Sequence, residues 1–302
     1  MRIPKIFRII RIHIVIGGFL AFSLGGLLAI VGGGNFNFMF FALGYVVVLL
    51  GDLSSHYSND YFDVEVDKYI EQKKFFSGSN ILVSNPDILS FARLISVTLL
   101  ISSNVLAVIL VILGAPIEFL IIILSASLVG WFYSAPPLRL ISRGFGELAV
   151  ACVTGFAIPG LGYLALRGYF DPLFFYFAVP FIMYGLMLSL SLQVPDIEVD
   201  SKANKRNLAV RLGERWVFFL IFAMALCATL TFCIYALQNA FSLVDFRVMV
   251  LSSIIPLVSG FLAFVGVFRK KKMIHFSTLN VASLFVFNIL MISYLLVIWL
   301  LS

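Results

Sequence analysis

Two short stretches concentrate carboxylates in a chain otherwise poor in charge: Asn59-Asp60-Tyr61-Phe62-Asp63-Val64-Glu65-Val66-Asp67 and Pro195-Asp196-Ile197-Glu198-Val199-Asp200. Each closes a long apolar run. Carboxylates at a membrane edge are costly unless they pair or bind something, so two copies of an Asp-x-Glu-x-Asp pattern read best as two halves of one metal site. Asp60, Asp63, Asp67, Asp196 and Asp200 are its candidate ligands. Oxygen-only donors suit Mg²⁺, which takes one or two carboxylates directly and fills its other positions with water and substrate phosphate. Ca²⁺ is the alternative ion, although neither stretch has the sixth-position glycine and terminal glutamate of an EF-hand loop. A solvated acidic loop is the alternative without chemistry.

Cations stand where a diphosphate would need them. Lys68, Lys73 and Lys74 follow the first stretch, and Lys202, Lys205, Arg206 and Arg211 follow the second. Arginine in particular chelates phosphate oxygens. Membrane topology alone would place about as many cations there; Lys205 and Arg206, within one to two turns of Asp200, are the strongest candidates.

If the apolar run before the first stretch continues as a helix, Asp52, His56, Asn59, Asp63 and Asp67 fall at i, i+4, i+7, i+11 and i+15, a single stripe with Asp60 on its flank. Ser189, Gln193, Asp196 and Asp200 repeat the first four spacings. Pro195 removes an amide and restrains Val194, which predicts a break there. Asp52, inside the apolar run, either lines the same cavity or makes a local hydrogen bond, and His56 shares that choice.

The elements that must carry these stripes are membrane spans. Hydrophobic residues make up 62% of the chain and charged residues 12%, with a mean hydropathy of +1.08, against roughly 45–50% and about 25% in a soluble domain. Runs of about 20 apolar residues, enough to cross a hydrocarbon core of about 30 Å, occur at 9–32, 36–57, 91–113, 117–133, 145–166, 172–193, 215–237, 247–268 and 278–301. The expectation is an all-α, polytopic membrane protein with nine transmembrane helices. The first run is too long for a signal peptide and ends in Gly32-Gly33-Gly34 without a cleavage pattern. The longest stretch between spans, about 58–90, is too short to build its own core, so residues 1–302 are expected to form a single transmembrane domain.

Basic residues favour the cytoplasmic side. With the N-terminus inside, nineteen of the 21 Lys and Arg residues fall there, leaving Arg167 and Arg247 outside. This predicts a multi-pass protein of the cell membrane, with its N-terminus and the acidic loops cytoplasmic and its C-terminus outside. The net charge of +6 then reads as topology and attraction for diphosphate or anionic lipid, and nucleic acid is not an expected partner.

Both acidic stretches end spans of the same direction, four spans apart, which predicts two parallel four-helix repeats plus a last helix, with the site between the halves. Pro136-Pro137 cannot continue a helix, so the chain should leave the fourth span at about Tyr133 and turn back beside the acidic stretches. Tyr133, Ser134 and Arg139 are therefore candidate diphosphate donors, the alternative being caps and interfacial anchors. Cys152, Cys227 and Cys233 fall within spans, form no CxxC pair, and read as packing thiols with neither disulfide nor zinc expected. Gly17, Gly18, Gly25 and Gly26 read as points of close helix contact. Arg8 and Arg11 either touch substrate from the start of the first span or, more simply, anchor it on the cytoplasmic side, and His275, beside Lys270, Lys271 and Lys272, reads as surface.

These residues resemble the UbiA superfamily of intramembrane prenyltransferases. Asn59, Asp60, Asp63 and Asp67 match its NDxxDxxxD motif without a gap, and Asp196 and Asp200 match its second DxxxD motif. Tyr133-Ser134-Ala135-Pro136-Pro137-Leu138-Arg139-Leu140, followed by Arg143-Gly144-Phe145-Gly146-Glu147, is similar to the YSxPPxRL and RGxGE stretch of the branch that prenylates dihydroxynaphthoate in menaquinone synthesis. Ser77-Gly78-Ser79-Asn80-Ile81-Leu82-Val83 resembles that branch's SGGSxVLV, and the run from Asp200 to Gly213 resembles DxxxGKRTLxVRLG.

The resemblance implies a Mg²⁺-dependent transfer of a prenyl group from a polyprenyl diphosphate to a lipophilic acceptor. Catalytic roles would fall to Asn59, Asp63, Asp67, Asp196 and Asp200, and substrate contacts to Asn59, Lys68, Tyr133, Ser134, Arg139, Lys202, Lys205 and Arg206. An apolar, membrane-enclosed cavity would keep water from quenching an allylic cation. The implied partners are the diphosphate, the acceptor and the bilayer, with no obligate protein partner evident. The acceptor is expected to be aromatic, such as dihydroxynaphthoate, because the chain lacks the NxPxRPI stretch of the archaeal ether-lipid branch, whose acceptor is geranylgeranylglyceryl phosphate. Departures from the pattern are Asn204 for a glycine, Asn207 for a threonine, and Pro137 where hydroxybenzoate enzymes carry the lysine of YxxxK, a cation that Arg139 or Arg143 would supply instead. The rival from another class is a secondary transporter, which also uses repeats and intramembrane acids; the clustering of these acids at one membrane edge speaks against it.

Overall fold

The structure, a computed structural model, describes residues 5–69, 80–268 and 273–301. Arg2, Lys73, Lys74, Ser77-Gly78-Ser79 and Arg269 to Lys272, singled out above, lie outside the described residues. Among the described residues there is no strand, and nine helices are long and apolar enough to cross a membrane. They are α1 (Ile12–Val31), α2 (Phe38–Phe62), α3 (Leu89–Ile112), α4 (Ile117–Ser134), α5 (Gly146–Arg167), α6 (Pro172–Gln193), α7 (Leu208–Leu237), α8 (Phe246–Phe268) and α9 (Met273–Leu301).

Local chemistry sets the ends of these helices. Asn37 accepts hydrogen bonds from the Met39 and Phe40 amides and so caps α2, while Asp171 accepts from Leu173 ahead of Pro172 and caps α6. Asn207 caps α7 through the Val210 amide. The expected threonine at this position would have served the same purpose, since both side chains offer an acceptor oxygen. Asn204, standing where a glycine is expected, has a φ of 56°, a left-handed conformation that asparagine tolerates better than most residues. Both departures keep the backbone job of the residue they replace. Helix α7 is broken at Gly213, φ 73°, so its amphipathic first turns lie apart from the apolar length that follows.

Packing follows a repeated order. Helix α2 lies against α3 and α3 against α4, as α6 lies against α7 and α7 against α8; α1 and α5, the first helix of each set, pack on one another. Helix α9 closes the bundle against α8, α1 and α6. Burial of apolar surface drives little association in a lipid solvent, so close backbone approach does the work. A Cβ on Gly25 would stand 1.8 Å from the Pro159 carbonyl oxygen, and one on Gly162 would stand 2.0 Å from that of Phe22. The α1–α5 crossing therefore requires glycine on both sides. Outward faces keep large apolar side chains such as Ile112, Leu237 and Leu300 exposed, as a lipid-facing surface should.

The alternation of helix direction brings the start of α1 and the ends of α2, α4 and α6 to one end of the bundle. Beyond α2, a separate turn (Val64–Asp67) carries the rest of the first acidic stretch; beyond α6, a 3₁₀ turn (Val194–Asp196) and a short helix (Ile197–Lys202) carry the second.

Candidate active site

A cavity of about 350 Å³ opens between the two sets of helices at this end of the bundle. Asn59, Asp60, Asp63 and Asp67 line it from one side, and Gln193, Asp196 and Asp200 from the other. Below this polar mouth its walls turn apolar, with Gly17, Gly18, Ala21, Val153, Phe181, Leu188, Leu284 and Phe287 among them.

The expected stripe on a continuous helix is corrected in one respect. Helix α2 stops at Phe62, and Asp63, with φ −97° and ψ 6°, is the joint to the next turn. Three carboxylates spaced at i, i+3 and i+7 on one uninterrupted face would repel one another, and the joint moves Asp67 onto its own turn. Asp60, expected on the flank, still reaches the cavity. At Pro195 the helix breaks into the 3₁₀ turn, and Asp196 and Asp200 follow it.

Lys205 joins the two halves. Its Nζ lies 3.2 Å from Asp63 Oδ2 and 3.4 Å from Asp200 Oδ1, and the side chain is only 7% exposed. Burial disfavours its charge, but Asp63 and Asp200 outweigh that cost and raise its pKa. Asn207 Nδ2 donates to the other oxygen of Asp200 at 2.7 Å. Asp67 is buried beside Asp60 and Asp63, and burial first, then those two charges, push its carboxyl up to about 7 against the opposing pull of Lys205 and Arg11.

Arg11 is the residue that spacing arguments missed. Its Nη2 donates to Asp60 Oδ1 at 2.9 Å, and the guanidinium lines the cavity. The assignment of Arg11 as a surface anchor is therefore corrected, while Arg8 is exposed. No sequence signal separates the two arginines; the register of α1 against α2 does.

The loop after α4 docks close by. Ser134 Oγ donates to Asn59 Oδ1 at 3.1 Å, and Tyr133 lines the cavity. The Arg206 amide donates to the Ser142 carbonyl at 3.0 Å, and Arg211 Nη2 donates to the Arg143 carbonyl at 3.2 Å. Buried Glu147 accepts the Leu208 amide at 2.6 Å, so the RGxGE stretch ties this loop to the start of α7. The same docking turns several expected cations away. Arg139, in a left-handed conformation, and Arg143, Lys202 and Arg206 are all exposed and do not line the cavity. Lys68, also outside the cavity, pairs with Glu65 at 2.6 Å. Neither Arg139 nor Arg143 stands in for the lysine of YxxxK; Arg11 and Lys205 are the arginine and lysine that line the cavity among the described residues.

The donor set at the mouth is carboxylate, amide and hydroxyl oxygen, which fits a hard divalent cation. Gln193, buried, has both side-chain polar atoms without a hydrogen-bond partner and adds an unused oxygen to the set. Among the described residues no three acidic, histidine or cysteine side chains already surround one point closely enough to hold an ion. The ammonium of Lys205 lies between Asp63 and Asp200.

Comparison with known proteins adds three findings. The sequence matches the UbiA prenyltransferase family over residues 19–292. Comparison with curated proteins finds no match. Among solved structures, a UbiA homologue from Archaeoglobus fulgidus bound to GPP and Mg²⁺ superposes with a TM-score of 0.73 at 17% identity, covering 98% of this chain and 99% of that one. A UbiA homologue from Aeropyrum pernix K1 gives 0.69 at 12% identity over 91% and 97% of the two chains. A structure concerned with digeranylgeranylglyceryl phosphate synthase in membranes gives 0.66 at 17% identity over 97% and 96%.

Proposed function

The chain belongs to the UbiA prenyltransferase family, and we propose that it transfers a prenyl group from a polyprenyl diphosphate to a hydroxyl-bearing aromatic acceptor such as dihydroxynaphthoate, with Mg²⁺ at the two acidic motifs. The observation that carries this reading is the convergence of Asp63 and Asp67 with Asp196 and Asp200 at the mouth of a cavity whose deeper walls are apolar, with Lys205 bridging Asp63 and Asp200. A prenyl diphosphate has the matching shape: a concentrated anionic head and a long apolar tail.

Asp60, Asp63, Asp67, Asp196 and Asp200 would hold the metal, with Asn59 and Gln193 as further oxygen donors. The chemistry such an ion would supply when bound is stabilisation of the charge that develops on the leaving diphosphate. Lys205 would exchange its hold on Asp63 and Asp200 for the diphosphate once the carboxylates are otherwise engaged, and Arg11 would face the same head group from α1. Tyr133 lines the mouth with a hydroxyl that can donate to a phosphate oxygen. The apolar walls would exclude water from the allylic carbon as its bond to oxygen loosens.

An aromatic acceptor is favoured by the loop sequence Tyr133 to Glu147 and by the supply of cations. Among the described residues, Arg11 and Lys205, both already paired with carboxylates, are the arginine and lysine that line the cavity, a supply that suits the single charge of an aromatic carboxylate better than the higher charge of a second phosphate. We place the mouth on the cytoplasmic side, because nineteen of 21 Lys and Arg residues would then face inward, and we take residues 1–302 as one prenyltransferase domain.

A product screen tests the proposal. Purified protein is given farnesyl or geranylgeranyl diphosphate with Mg²⁺ and, in turn, dihydroxynaphthoate, hydroxybenzoate and geranylgeranylglyceryl phosphate, and products are identified by mass. The expected product is a prenylated aromatic. Exclusive prenylation of the glyceryl phosphate would overturn the acceptor assignment and leave the metal motifs standing.

A further inference from the structure

A second polar cluster lies deeper in the same cavity, one to two helical turns from the metal motif, and takes no part in the scheme above. Asp52 and His56 both line the cavity from α2. His56 is 3% exposed, and its Nδ1 accepts the backbone amide of Arg11 at 3.5 Å. With Nδ1 turned toward that amide, a neutral imidazole carries its proton on Nε2. Nε2 faces Asp52 Oδ1 at 3.6 Å, beyond hydrogen-bond length. Neither His56 Nε2 nor buried Asp52 Oδ2 has a hydrogen-bond partner.

Polar groups left this loosely paired in a membrane interior are expensive, because buried polar groups are almost always hydrogen-bonded. Ser54 of α2 and Ser103 of α3, in the same α2–α3 contact, show how such groups are normally treated, donating to the Ser96 and Val47 carbonyls at 2.8 Å each. Asp52 and His56 keep unused capacity, one accepting and one donating, side by side on the cavity wall. A hydroxyl group has the matching chemistry, since it donates to a carboxylate while accepting from an N–H. An anionic group does not, because it would meet the Asp52 carboxylate. On the wall opposite α2, Asn288 Oδ1 of α9 is another acceptor in the same cavity without a partner.

We propose that Asp52 and His56 form the recognition site for the hydroxyl of the prenyl acceptor. Asp52 accepts its hydrogen bond, and His56 Nε2 donates its one proton to the hydroxyl oxygen. The placement suits this role: seven residues of helix separate Asp52 from Asn59, about 10 Å along the axis, so the acceptor lies below the diphosphate on the side of the prenyl tail. A hydroxyl that donates to a carboxylate leaves its ring richer in electrons, which is what attack on an allylic carbon requires. The inference rests on the prenyl-transfer reading for the identity of the ligand, while the hydroxyl preference itself is measured without turnover.

The probes are 1-naphthol and 1-methoxynaphthalene, nearly the same in size, of which only the first can donate. Equilibrium dialysis of metal-free protein in detergent, against protein-free micelles, should show at least tenfold tighter binding of naphthol to the wild type. Asp52→Leu, which keeps the volume and removes both oxygens, should abolish the difference. Asp52→Asn, which retains a single weaker acceptor, should shrink it to about threefold and carries the test if the leucine variant does not fold. Equal binding of the two probes by the wild type, or full discrimination by Asp52→Asn, would overturn the proposal. Affinity for prenyl diphosphate should stay within twofold in both variants, and a parallel loss of both affinities would reduce Asp52 to a structural residue. Failure of the prenyl-transfer reading looks different: discrimination between the probes persists, and no acceptor yields a product.

Discussion

Lys205 Nζ stands 3.2 Å from Asp63 Oδ2 across 142 residues of sequence, so a single ammonium joins the acidic motif of the first repeat to that of the second. It pairs with two of the carboxylates that would hold a divalent ion. Its removal leaves Asp63 and Asp200 facing each other in a buried setting, and breaking one side of a buried pair costs about 3–5 kcal/mol. Lys205→Gln should accordingly lower the unfolding temperature in EDTA, and added Mg²⁺ should restore more stability to the variant than to the wild type. Its KM for prenyl diphosphate should rise at least tenfold. A variant whose stability in EDTA matches the wild type would show that the bridge is ornamental.

The two motifs should be equally necessary. Asp63→Ala and Asp196→Ala each take a ligand from a different half, and each should reduce turnover by about a thousandfold, on the scale of losing a principal electrostatic stabiliser. Glu65 and Glu198 are exposed and point away from the cavity, so Glu65→Gln and Glu198→Gln should stay within threefold. Equal losses at all four positions would mean that the acids act as bulk charge.

Arginine variants separate the cation that faces the cavity from those that do not. Arg11→Lys should raise the KM for prenyl diphosphate about tenfold, because an ammonium keeps the charge on Asp60 but loses the planar fork. Arg139→Ala should change it less than twofold, since Arg139 is exposed and outside the cavity. Steady-state kinetics with varied diphosphate at saturating acceptor decide the matter, and the reverse ranking would relocate the head group to the loop after α4.

Metal affinity should depend on pH through Asp67. Its carboxyl, raised to about 7 by burial and by Asp60 and Asp63, must be deprotonated to take a metal. Above pH 7 the carboxylate is already charged and affinity is flat; as pH falls below 7 the ion competes with a proton, and affinity drops by up to about tenfold per unit. Titration of Mg²⁺ by calorimetry at pH 8 and pH 6 should show a drop of about tenfold, which Asp67→Asn removes. An unchanged drop in that variant would place the titrating group elsewhere.

The glycines of α1 should split into two classes. A Cβ on Gly25 would collide with the Pro159 carbonyl at 1.8 Å, whereas one on Gly18 meets nothing within 4 Å and lines the cavity. Gly25→Leu should fail to yield monodisperse protein. Gly18→Leu should fold, and should favour shorter prenyl diphosphates by filling the apolar part of the cavity. Competition between geranyl and geranylgeranyl diphosphate, read by product mass, would show no shift if the tail runs along another wall.

Some of this architecture could be read from residue order because it is local. Apolar runs longer than a bilayer is thick had to be spans, and the period of 3.6 residues put Asp52, His56 and Asn59 along one side of α2, although the break at Asp63 that carries Asp67 onto its own turn was not read from it. Pro195 had to break its helix, and Pro136-Pro137 had to end α4. The selection among cations was not local, since Arg8 and Arg11, or Lys205 and Arg206, are equivalent by type and near in sequence. Burial of Arg11 depends on how α1 registers against α2, where Asp60 waits. Lys205 turns inward because the Arg206 amide is held by Ser142, far away in the chain, and the Asn207 side chain by nearby Asp200. The division of the glycines has the same origin: a missing side chain permits either close contact or empty space, and the partner helix decides which.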